Sequence, residues 1–98
     1  MGFIDQIKQA NQMRKEAKRI QSEIDKIVYT HRNGGIAVTM KGDFSVSQIK
    51  IEEEALAEVR AGKTERFETM LKTVINAACA NVRQQNQQIV QQMMKDAK

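Results

Sequence analysis

IVYTHRNGGIAVTMKGDFSVSQIKI, residues 27–51, decides the fold. Ile27–Arg32 is β-branched and aromatic. Asn33-Gly34-Gly35 then signals a tight turn, because type I′ turns need positive φ. In Ile36–Lys41, Ile36, Val38 and Met40 alternate with Ala37, Thr39 and Lys41, which gives one buried face and one wetter face. Gly42-Asp43 marks a second turn, and Val46–Ile51 follows with Ile49 and Ile51 on one side. The stretch reads as a three-stranded antiparallel meander.

The period changes on both sides of it. Upstream, Phe3, Gln6, Ala10, Met13, Ala17, Ile20, Ile24 and Ile27 recur at alternating spacings of three and four. That is a heptad seam with Gln6 as its polar intruder, and it predicts a long helix from residue 3 to about 27. Downstream, Glu52–Ala61 is a short acidic helix with Leu56 and Val59 one turn apart, closed by Gly62. Thr64 can cap a last helix that runs to about Lys95, with Glu65 and Glu68 in its first turns. Its stripe is Phe67, Leu71, Val74, Ala78, Val82, Ile89 and Met93, with Ile75 adjoining and Gln85 on the seam. The glutamine-rich RQQNQQIVQQ, residues 83–92, therefore belongs to a continuous amphipathic helix. An amyloid-prone tract would not place Ile89 on that stripe, and Gln is a good helix former.

The expected fold class is α+β, in one domain spanning 1–98. A compact globule of this length is roughly 30–35 Å across. The two long helices would measure about 37 and 48 Å, so their far ends should project beyond a three-stranded sheet. With no Trp, one Tyr and three Phe, the core is thin. A homodimer is expected, formed through helix seams or sheet edges that one chain leaves uncovered.

No catalytic constellation stands in the sequence, so an enzyme is not expected, nor a cofactor, metal or small-molecule substrate. His31 and Cys79 lie in a predicted strand and a predicted helix, and His31 near a turn is expected to be solvated. Cys79, among the small residues of INAACAN, reads as a small buried thiol. Adjacent carboxylates at Glu52-Glu53-Glu54 splay apart on a helix and gather no metal. Gly34-Gly35 lacks the Lys-Ser/Thr helix start of a phosphate loop. No apolar run reaches the ~20 residues of a membrane span, and Asp5, Gln6 and Lys8 interrupt any signal-peptide core. A reducing cytoplasm is the expected setting.

Charge is unevenly spread. Residues 52–68 carry three basic and six acidic side chains, whereas 69–98 carry four and one. Lys8, Lys15 and Lys18 fall within about one face of the first helix, flanked by Arg14 and Arg19. Arg83, Lys95 and Lys98 sit on or near the far part of the last helix, in or beside an acid-free run from Thr69 to Lys95. Such surfaces either keep a coiled coil soluble or meet phosphate, with Gln supplying hydrogen bonds.

The residues also carry a resemblance. IKQANQMRKEAKRIQSEI (7–24), GGIAVTMKGDFSVSQIKIEEEAL (34–56), and Met70-Leu71 followed by VINAACANV (74–82) are similar, in order and spacing, to the YbaB/EbfC family of bacterial nucleoid-associated proteins. Glu52-Glu53 stands where that family often has Asp-Pro. The resemblance implies a tweezer-like homodimer with projecting paired helices. It also implies binding of double-stranded DNA with low or modest sequence selectivity, and effects on nucleoid organisation and gene expression. The candidate contacts are Lys8, Arg14, Lys15, Lys18 and Arg19 on the first helix, and Arg83, Gln84, Gln87, Gln91 and Lys95 on the last. Two rivals stand beside it. One is a prefoldin-like holdase gripping clients with Met93-Met94 and Phe3-Ile4. The other is a coiled-coil adaptor for another protein.

Overall fold

Gly34 and Gly35 hold φ of 60° and 82°, the positive pair that a type I′ turn requires. The turn folds β1 (Val28–Asn33) onto β2 (Ile36–Lys41), with Asn33 opposite Ile36. β3 (Val46–Ile51) pairs antiparallel along the other edge of β2, so the order is β1-β2-β3. The register shifts at Thr39/Met40, where Ser47 is the extra residue of β3. In the Gly42-Asp43 turn, the Ser45 hydroxyl and amide donate to Asp43, holding that exposed carboxyl below the usual carboxylate range.

The computed structural model describes residues 3–96, and the side chains of 6–95. Around the meander stand α1 (Phe3–Asp25), α2 (Glu53–Arg60) and α3 (Thr64–Asp96). The side chains of Phe3 and Ile4, and Lys98, lie outside the described residues. The expected element order and α+β class are met, with strand bounds within a residue of those expected. Thr64 is the first residue of α3, and the Lys63 carbonyl accepts from Phe67 N–H, so the helix starts one residue earlier than a Thr64 cap implies. Gly62, at φ 85°, ends α2. Its N–H donates to Val59 and that of Lys63 to Glu58, the paired bonds of a Schellman stop.

The core lies between α3 and one side of the sheet. Ile36 and Val38 from β2 meet Val74, Ala78 and Val82 from α3, all fully buried, with Met40, Ile27 and Ala55 around them. α3 covers β1 and β2, and β3 lies beyond its flank. Two expectations are corrected here, on Cys79 and His31: Cys79 is half-buried and not buried, because it sits on the flank of α3 beside the buried Ala78. On α2 the buried residue is Ala55, while Leu56 and Val59 are exposed. The reason is close approach: a Cβ on Gly35 would lie 2.9 Å from the Ala55 nitrogen, so only a small side chain fits at that contact. His31 is half-buried on the core side of β1, its Nδ1 3.1 Å from the Tyr29 hydroxyl, and is not a solvated turn residue.

Gly42 ties three elements together. Its N–H donates to the Ile27 carbonyl at 3.1 Å, its carbonyl accepts from Asn86 Nδ2 at 3.1 Å, and it packs directly on the Ile24 carbonyl at the end of α1. Asn86 also donates to Val82 O at 2.9 Å. Replacing Asn86 by Ala strips the half-buried Gly42 carbonyl contact and should cost about 1–3 kcal/mol, read as a lower urea midpoint with unchanged slope.

The chain is long and thin, 72 × 19 × 18 Å with a radius of gyration of 20.1 Å, against about 13 Å for a compact chain of this length. The helices do project, but they pair less than the seam implied. α1 meets α3 only towards its own C-terminal end. Ile20 and Ile24 are half-buried and Ile27 is buried, whereas Ala10, Met13 and Ala17 are exposed. Among the described residues, the upper seam of α1 is left uncovered.

Candidate nucleic-acid interface

At 100° per residue, Lys8, Lys15 and Arg19 fall within about 40° of one another on α1, with Lys18 and Arg14 to one side, opposite the Gln6–Ala10–Met13–Ala17 seam. On α3, Gln87 stands about 180° from the buried Ala78, and Arg83, Gln84, Gln91 and Lys95 flank it on the outer half of the helix. All ten candidate residues are exposed. The two sets are on separate helices and the structure does not bring them together: of the ten, Arg19 alone lines the cleft between α1 and α3. There Arg19, Ser22 and Glu23 face Gln85, Gln88, Ile89, Gln92 and Met93 across a cleft of about 490 Å³.

Gln88 and Gln92 thus border Arg19, and neither was among the expected contacts. Their signal was present, since they directly precede the predicted seam residues Ile89 and Met93, but which helix they would face depends on the α1–α3 crossing. Gln85, on the seam, donates to Asn81 Oδ1 at 2.6 Å and stays within its own helix.

Ion pairing separates the basic residues into two groups. Lys26 pairs with Glu23, Arg32 with Glu52, Arg60 with Glu53 and Arg66 with Glu58. Lys8, Arg14, Lys15, Lys18, Arg19, Arg83 and Lys95 take part in no ion pair among the described residues, and neither do Lys41, Lys50, Lys63 and Lys72 nearer the sheet and the first half of α3. Unneutralised cations on projecting helices are what a polyanion attracts at long range.

Residues 1–97 match the family described as the YbaB/EbfC DNA-binding family. The chain belongs to this family. A YbaB/EbfC protein is thereby a DNA-binding protein, which accords with the unpaired basic surface. The fold is similar to that of the uncharacterized protein HP0035 from Helicobacter pylori, with a TM-score of 0.77 at 17% identity, covering 96% of this chain and 98% of that one. No curated protein matches the chain. Among the described residues no helix is long and apolar enough to cross a membrane, and no group of His, Cys, Asp and Glu is arranged to hold a metal ion.

Proposed function

We propose that this YbaB/EbfC protein binds duplex DNA as a homodimer, with low or modest sequence selectivity, and thereby influences nucleoid organisation and gene expression. The unpaired cations of α1 and distal α3 carry the reading. Lys8, Arg14, Lys15, Lys18, Arg19, Arg83 and Lys95 neutralise phosphates, and Gln84, Gln87 and Gln91 add hydrogen bonds.

Surface area supports the dimer. The chain exposes 7500 Å², where a compact monomer of 11.2 kDa exposes about 5,700 Å². The excess, about 1,800 Å², exceeds the ~800 Å² that each partner contributes to a standard interface.

Binding to a random duplex should weaken with salt. If about six phosphates are neutralised, log K falls against log salt with a slope near −5. A mobility-shift titration across salt concentrations checks it, and affinity indifferent to salt would sink the proposal.

One observation favours a holdase: Met13, Met94 and Ile7 are 70%, 65% and 46% exposed. Suppression of client aggregation without DNA binding would select that reading instead.

A further inference from the structure

Among the described residues, Phe44 is the one non-glycine residue at positive φ, 68°. It stands in the loop between β2 and β3. Phe44 N–H donates to the Lys41 carbonyl and Lys41 N–H to the Ser45 carbonyl, both at 2.9 Å. Three-residue hairpin loops of this kind put a left-handed residue at the bulge, and Gly takes that place at no steric cost. An aromatic residue there is strained, and such strain gathers at functional sites. Packing does not repay it: Phe44 is 42% exposed and takes no part in the core cluster. The loop thus presents an aromatic ring to solvent against the preference of its own backbone.

We infer that Phe44 contacts a nucleobase, its ring inserting at a base step of the duplex, an inference that rests on the DNA binding proposed above. Three features favour DNA as what meets the ring. The turn is docked on α3 through Gly42 and Asn86, and Asn86 shares a surface depression with Gln87, Val90 and Gln91. Gln87 and Gln91 are proposed DNA contacts, so the turn stands beside that surface. The turn is also fixed in place. Ser45 donates twice to Asp43, and Gly42 is tied to Ile27 as well as to Asn86. A wedge that unstacks bases must hold its position. Lys41, lastly, offsets the charge of Asp43, so the turn adds its ring to the contact and no net charge. Insertion reads how readily a step deforms, whatever its sequence, which suits low selectivity.

Fluorescence anisotropy on the full chain tests this. The unaltered protein should bind a duplex with one central mismatch at least about 3-fold tighter than the matched duplex, since a mismatched step unstacks more readily. A 2-aminopurine beside the mismatch should brighten on binding, as it leaves the stack. Phe44→Gly should weaken binding to the mismatched duplex about 10-fold, the loss of one base–aromatic contact. It should erase the preference and the brightening. The slope of log K against log salt should stay the same, because no phosphate contact is lost. Phe44→Trp should keep both affinity and preference. The melting temperature of Phe44→Gly should hold within about 3 °C or rise, since Gly suits positive φ. A larger fall would make the ring a packing group and overturn the inference. Unchanged affinity and preference in Phe44→Gly would also overturn it, leaving duplex binding standing and the ring to a protein partner. An unaltered protein that binds no duplex would overturn both.

Discussion

Replacing Lys15, Lys18 and Arg19 together by Gln should weaken duplex binding about 100-fold at 0.15 M salt. The estimate follows from counterion release: each lost phosphate contact removes about 0.9 from the slope of log K against log salt, so three remove about 2.7. The slope should therefore fall to roughly half that of the unaltered chain. All three side chains are exposed and none is in an ion pair among the described residues. The substitution removes charge without opening the core, and Gln keeps the helix. Circular dichroism and sedimentation should be unchanged, so the loss reports on the surface alone. Unaltered affinity and slope would show that DNA lies against another face.

Gly42→Ala should act on the fold. The added Cβ would run into the Ile24 carbonyl, with the Ile24 carbonyl carbon at 2.8 Å behind it. No rotamer change relieves a clash with backbone, so the end of α1 must move away from the sheet. A cost of about 3 kcal/mol, at the upper end of overpacking penalties, is expected. For a chain of this size that lowers the melting temperature by roughly 15 °C. Thermal unfolding followed by circular dichroism measures it; a drop below about 3 °C would mean that α1 shifts freely at this contact.

The sheet was legible because its signals are local. Gly34-Gly35 requires its turn, and the alternation of Ile36, Val38 and Met40 requires its face. α3 was legible for a similar reason: Val74, Ala78 and Val82 recur at helical spacing and are the residues most completely buried. The seam of α1 misled about its partner. Periodicity shows that a stripe exists, and Ala10, Met13 and Ala17 form one, but it does not say which surface covers it. The burial of Ala55 in place of Leu56 and Val59 had no local signal either, since it comes from contact with Gly35 across the fold. For the interface, exposure of the ten expected residues followed from their wheel positions. The meeting of Arg19 with Gln88 and Gln92 did not, because two helices' crossing is set by the tertiary packing around Gly42 and Asn86.

Residues 6–19 of α1 are exposed on every side. A helical stretch of that length without tertiary cover is marginal in water, because its costly nucleus is repaid by few propagating bonds. Here the nucleus is supplied by the anchored root at Ile20–Ile27, and the helix frays from its outer end back toward that root. Amide hydrogens along 6–19 should exchange far sooner than those of β2. Any body that settles on the arm must first quench this fraying, so its association should show a large favourable enthalpy opposed by entropy and should tighten on cooling.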